Sequence, residues 1–156
     1  MSGKKRVLFM SKQVFSDVSA TIGNAPAETG GMLGMRNGII SDFYFDKTAD
    51  VNFRQYSPDS AACSRILNGE WYPNGIRFCG FVHSHAVDPL PSESDTQYMQ
   101  KICTAVTSAD GPAPADIYLL IAQAPQSEFF SLHSYLVQDD LTGDFRLVPI
   151  PLEICL

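Results

Sequence analysis

Val14, Phe15, Val18 and Ile22 recur at helical spacing within residues 11–23, and four of the five positions between them are polar, Ala20 being the exception. That pattern predicts an amphipathic helix after a short strand at residues 7–10. Ser11 suits its N-cap and Gly23-Asn24 its stop. A second helix is predicted from Ser57-Pro58 to Gly69, because proline suits a first helical position. A third is predicted over residues 92–107, with Tyr98, Met99, Ile102 and Val106 as its buried stripe. Ser92, followed three positions later by Asp95, has the spacing of a capping box.

Strands are predicted at 31–35 and 39–45, where the intervening Asn37-Gly38 marks a hairpin. Residues 76–85 are apolar at successive positions, as in a strand covered on both faces. Strands at 117–122, 129–138 and 145–150 follow, the last two separated by a turn over 139–143. With no repeat and no long linker, residues 1–156 read as a single domain. The order of elements predicts an α+β or mixed α/β fold, a central mixed sheet flanked by about three helices.

Composition narrows the function classes. An apolar share of 45% against 18% charged residues is that of a folded chain with a core, not a disordered one. A net charge of −6 and scattered basic residues, clustered only at Lys4-Lys5-Arg6, argue against a nucleic-acid partner. No apolar run approaches the length of a membrane span, and the N-terminal stretch is broken by Ser11-Lys12-Gln13. Cys63, Cys79, Cys103 and Cys155 form no CxxC pair, so a reduced, cytoplasmic setting without disulfides is expected.

Candidate chemistry lies at the end of the apolar strand. In His83-Ser84-His85 the two imidazoles stand at i and i+2, on one face of a strand, which makes a two-point clamp for a metal. A catalytic zinc takes three protein ligands and leaves one position for water. Asp95, in the first turn of the next helix, is within the chain's reach as the third ligand. It has a second reading too, since an acid there is favoured by the helix dipole alone. An isolated HxH is likewise common by chance. Here, however, two histidines end an apolar strand, where they need polar partners.

The whole pattern resembles the JAMM (MPN-plus, or JAB-type) metalloprotease family. The residues that carry the likeness are His83-Ser84-His85, the proline-containing loop, Pro91-Ser92-Glu93-Ser94-Asp95, and Glu28 ahead of Thr29-Gly30-Gly31. The resemblance implies a JAB/MPN-like fold and one zinc ion held by His83, His85 and Asp95. It also implies Glu28 as general base and Ser92 as a residue that positions or stabilises the tetrahedral intermediate. The implied reaction is hydrolysis of an amide bond at the C-terminal tail of a ubiquitin-like or sulfur-carrier protein, by a small prokaryotic enzyme. Gly30 and Gly31 fit either a plain turn or close approach of a substrate backbone.

Two positions depart from the family pattern. Six residues, Ala86 to Pro91, separate His85 from Ser92 where seven are usual, and Ala86 stands where proline commonly follows the second histidine. A zinc deaminase, the competing enzyme class, needs HxE and PCxxC, and both are missing. The non-enzymatic alternative is a metal-free MPN-like interaction scaffold. His133, Trp71 and the Phe43-Tyr44-Phe45 cluster read as structural, and Asp139, Asp140 and Asp144 as a solvated turn.

Overall fold

Ten strands and three α-helices are found among the described residues of the computed structural model, which are 6–26, 28–47, 50–52, 55–86, 88–108, 116–123, 125–128, 130–139 and 145–155. The turn expected over 139–143 lies mostly outside them, as do Asp140, Asp144 and the side chains of Val106 and Asp139.

Strand β1 (Leu8–Ser11) leads into helix α1 (Lys12–Thr21), and Ser11 Oγ accepts the Val14 amide at 3.1 Å as the expected N-cap. The helix closes into a 3-10 turn, Ile22–Asn24, which places Gly23 inside the turn. Strands β2 (Gly30–Arg36) and β3 (Ile39–Phe45) form the predicted hairpin. Asn37 and Gly38 both have positive φ, 55° and 78°, as a two-residue turn that follows the twist of the strands requires.

A small hairpin of β4 (Asp50–Asn52) and β5 (Gln55–Ser57) comes next, in addition to the predicted strands. Helix α2 spans Ser60–Ile66, a correction to the predicted start at Ser57-Pro58. Asp59 is the true cap: its carboxylate accepts the Ala62 amide at 3.1 Å, and its own amide donates to Asp46 at 2.9 Å. Pro58 therefore sits outside the helix. Beyond α2 the chain does not stop at Gly69. It widens into a π-helical turn, Leu67–Trp71, and tightens into a 3-10 turn, Tyr72–Asn74, ended by Gly75 in the left-handed conformation.

The remaining elements are β6 (Arg77–His85), α3 (Glu93–Ser108), β7 (Tyr118–Gln123), β8 (Ser131–Asp139), β9 (Phe145–Ile150) and β10 (Leu152–Cys155). Eight strands form one sheet in the order β10-β1-β3-β2-β6-β7-β8-β9. The pairs β1/β10, β1/β3 and β6/β7 are parallel and the others antiparallel, so the sheet is mixed. Its two edge strands, β9 and β10, are joined by Pro151 alone. The sheet must therefore curl until its edges approach each other. Strand β10 is an addition to the predicted strands, which end at residue 150. Pro151 marks the switch from one edge to the other, and its carbonyl accepts the Leu8 amide at 2.8 Å.

Helices cover both faces of this sheet. On one face Val14, Val18 and Ile22 of α1 pack with Leu33, Val82 and Leu120. On the other, Cys63, Trp71 and Met99 pack with Met32, Phe81, Leu119 and Ile121. Both clusters are nearly excluded from water, and burial of each large side chain contributes roughly 1.5–3 kcal/mol. Trp71 is thus a core residue, and Phe43 and Phe45 lie partly buried on the α1 face. No helix among the described residues is long and apolar enough to cross a membrane.

Candidate metal centre

The site begins with a break in the alternation of β6. Phe78 and Phe81 face α2 and α3, whereas Cys79 and Val82 face α1. Two residues on one face separated by three positions require a bulge, and the register against β2 slips by one between Leu33 and Gly34. Gly80 sits at the slip with φ 144°, and a Cβ there would lie 1.8 Å from the Tyr118 carbonyl oxygen. Because the side-chain period is two, one extra residue moves everything beyond it to the other face. The bulge is what turns His83 and His85 towards α3; without it they would face α1.

From the other side, the start of α3 delivers Asp95. Ser92 Oγ accepts the Asp95 amide at 3.1 Å, and Asp95 Oδ2 accepts the Ser92 amide at 2.8 Å. This is the reciprocal box that the spacing predicted. It orients the carboxylate towards the end of β6. Asp95 is therefore both cap and neighbour of the histidines, and its two readings do not exclude each other.

The three side chains converge closely. The Nε2 atoms of His83 and His85 are 3.0 Å apart, with the rings stacked at 4.9 Å between centroids. Asp95 Oδ1 lies 3.3 Å from His83 Nε2, and Oδ2 lies 3.3 Å from His85 Nε2. Ligands about 2.0–2.1 Å from a tetrahedral metal are about 3.3 Å from one another, and each imidazole nitrogen meets one oxygen of the Asp95 carboxylate at that distance, His83 through Oδ1 and His85 through Oδ2. His83 is buried, and the His85 and Asp95 side chains are each only 12% exposed. His85 donates its Nδ1–H to the Asp88 carbonyl at 2.8 Å, which leaves the Nε2 lone pair of the neutral ring aimed at the cluster. Two imidazole nitrogens and a carboxylate this close repel one another unless a proton or cation sits among them. His83, His85 and Asp95 can hold a metal ion.

The electrostatics reflect the same need for positive charge. Burial lowers the pKa of His85, but its bonds to Asp95 and the Asp88 carbonyl, with the charges of Asp95 and Glu28, outweigh this and raise it. For Asp95, burial works against the carboxylate, yet the two histidines and the Ser92 amide hold its pKa far below the ordinary carboxylate range.

Glu28 is brought to this site by Ser84, the residue between the histidines. The Ser84 amide donates to the Thr29 carbonyl at 2.9 Å, and the Thr29 amide donates to Ser84 Oγ at 3.1 Å. Since Gly30 pairs with His83, the register carried two residues back sets half-buried Glu28 opposite His85. Its charge acts on the His85 ring. Gly31 has a packing reason to be glycine: a Cβ there would meet the Tyr44 carbonyl oxygen at 2.3 Å. Ser92 is exposed, and its hydroxyl also lies 2.9 Å from Ser94 Oγ.

Sequence reasoning missed the groups that hold the return loop. Tyr135, buried on β8, donates its hydroxyl to the Pro89 carbonyl at 2.7 Å. The Asp88 carboxylate accepts the Leu90 amide at 2.8 Å. The spacer, one residue short of the usual length, is thus fastened at both Asp88 and Pro89. Half-buried His133 lies outside the cluster, bonded to Ser131 Oγ and Gln123 Oε1 at 3.1 Å each, in keeping with a structural role.

With this geometry in view, comparison with solved structures places the fold among known ones. The chain is similar to DSY2949 from Desulfitobacterium hafniense, a solution structure, with a TM-score of 0.66 and 19% identity over 96% of this chain and 93% of that one. The likeness is one of fold. The crystal structure of AF2198, a JAB1/MPN domain protein from Archaeoglobus fulgidus, aligns over 100% of both chains at 18% identity with a TM-score of 0.48. No protein-family model matches the chain, and no curated protein does either.

Proposed function

We propose that this protein is a zinc-dependent metallopeptidase or isopeptidase of the JAMM type, with an MPN-like fold. The observation that carries the reading is the convergence of His83 Nε2, His85 Nε2 and the Asp95 carboxylate within 3.3 Å, with Glu28 beside them. Two imidazoles and one carboxylate, borne on a strand end and a helix start, suit zinc's preference for nitrogen and oxygen donors. Zinc held there would lower the pKa of a water molecule to about 7 and polarise a substrate carbonyl.

The protein's own groups supply the rest. Glu28 accepts a proton from the attacking water as oxygen adds to the scissile carbonyl carbon. It returns that proton to the amine nitrogen as the C–N bond breaks, leaving a carboxylic acid and a free amine, which ionise to carboxylate and ammonium at neutral pH. A carboxylate half-buried next to His85 is suited to both transfers. Ser92, at the mouth of the site, positions the substrate carbonyl or steadies the tetrahedral intermediate. Asp95 and the Asp88 carbonyl keep the imidazoles oriented as ligands.

The substrate we favour is the flexible C-terminal tail of a ubiquitin-like or sulfur-carrier protein, taken in extended form. Elemental analysis of purified protein is expected to find close to one zinc per chain, lost in His83→Ala and His85→Ala. Ubiquitin-like fusions carrying residues beyond a terminal Gly-Gly should be cleaved, and a chelator should stop the cleavage. Failure to bind metal after reconstitution with zinc would overturn the enzymatic reading in favour of a metal-free scaffold.

A further inference from the structure

The ring of His85 is oriented by a backbone carbonyl in a loop, and loops by themselves orient ligands poorly. This loop is constrained from a distant part of the chain. Asp88 O takes the His85 Nδ1–H, and the next carbonyl along, Pro89 O, takes the Tyr135 hydroxyl. The two carbonyls belong to adjacent peptide units, and the proline ring between them fixes one of the dihedrals that relate them. The Asp88 carboxylate closes the same stretch by accepting the Leu90 amide. Tyr135 itself is anchored in β8, paired with Leu119 of β7 and Pro149 of β9, and its ring belongs to the core under α3.

We infer that Tyr135 is a positioning residue for the metal centre, acting through Pro89 and the Asp88 carbonyl to set the orientation and tautomer of His85. This rests on the metal-binding reading of the site, and it assigns a role to a residue 50 positions away from the ligand it serves. Burial and the Asp88 charge both push the Tyr135 hydroxyl's pKa up, so it remains a donor at neutral pH. The relay also explains how a spacer of six residues can present His85 correctly. A shorter loop has less slack, and a buried hydroxyl removes what slack there is.

The test is Tyr135→Phe, which keeps the buried ring and deletes only the hydroxyl. Titration with zinc alone and with cobalt alone is expected to show about tenfold weaker binding, the usual order for loss of a group that orients a ligand. The visible spectrum of the cobalt form should change as well, which general loosening of the core would not cause. Pro89→Gly, confined to the loop, should weaken binding similarly, and the double variant should be no worse than either single one, since both cut the same connection. Metal affinity of Tyr135→Phe within twofold of the parent would overturn the inference, and so would losses that multiply in the double variant. Nitrogen NMR of metal-free protein, at a pH where His85 is neutral, separates this inference from the proposed function. The parent should show the Nδ1–H tautomer of His85, and Tyr135→Phe a mixture, whether or not the parent binds zinc. An unchanged tautomer in the variant would overturn the relay.

Discussion

Asp95 Oδ2 accepts the Ser92 amide at 2.8 Å while lying 3.3 Å from His85 Nε2, so one carboxylate both starts helix α3 and completes the donor triangle. The cap fixes where the carboxylate points. Ser92 in turn receives the Asp95 amide, so the two residues hold each other.

Ser92→Ala is therefore expected to loosen both helix and site. Loss of a serine cap costs about 1 kcal/mol. Chelator-treated Ser92→Ala should melt a few degrees below the parent, and its zinc affinity should fall as Asp95 gains freedom. Ser92→Thr keeps a hydroxyl and should restore most of the stability. Thermal melting with and without zinc checks both outcomes, and unchanged melting of the metal-free Ala variant would show that the cap is not contributing.

Glu28→Gln separates metal binding from proton transfer. Glu28 stands opposite His85 through the Thr29–Ser84 bonds and is not among the three converging donors. The variant should retain zinc but lose roughly a hundredfold or more in kcat, as expected when a general base is removed. Zinc content and single-turnover cleavage of a ubiquitin-like fusion provide the two readings. Cleavage that survives the substitution would remove Glu28 as the base.

Much of this arrangement is legible in the residues alone, and the exceptions have physical causes. Periodicity places α1, α3, the Asn37-Gly38 hairpin and the long strand ending at His85, because each carries a strong local signal. The pairing of His83 with His85 follows from strand geometry. Which face they share does not, because it depends on the bulge at Gly80, and an apolar run buried on both sides conceals its phase. The start of α2 is not legible locally, because Pro58 suits a first turn, whereas Asp59 is held by Asp46, thirteen residues earlier. Strand β10 carries little local signal, because its partner, β1, lies at the other end of the chain. The bond from Tyr135 to Pro89 spans 46 positions and leaves no local trace.

Gly80→Ala tests the bulge directly. The native φ of 144° is a conformation that residues with a Cβ rarely adopt, and the added methyl would meet the Tyr118 carbonyl at 1.8 Å. Strain of this kind costs on the order of 1–3 kcal/mol, before any clash with the neighbouring strand is counted. The variant is expected to be destabilised by about 3 kcal/mol or more in denaturant unfolding. If it still folds, its zinc affinity should drop disproportionately, because any shift at Gly80 is carried along β6 to both histidines. A stability loss under about 1 kcal/mol would mean that β6 tolerates an ordinary residue at the bulge.

Metal uptake should depend on pH in a direction set by His85. Its pKa is raised above the ordinary 6.5, so in the metal-free protein the charged ring stabilises the fold fully below 6.5 and ceases to do so as pH rises through the raised value. Asp95 acts in the opposite sense: its depressed pKa gives stability that is present above the ordinary 3.8 and lost as acid titrates the folded carboxylate. Metal-free protein should accordingly be most stable, as far as this pair is concerned, between those two ordinary values. Zinc must displace the His85 proton to bind, so its apparent affinity should rise about tenfold per pH unit until His85 is neutral in the free protein. Because the raised pKa moves that end point above 6.5, the gain in melting temperature on adding zinc should keep growing past pH 6.5 before it levels off. Melting curves at a fixed zinc concentration from pH 5.5 to about 8.5 decide the matter. A zinc-induced shift that is already constant below pH 6.5 would show that His85 carries no proton for the metal to displace.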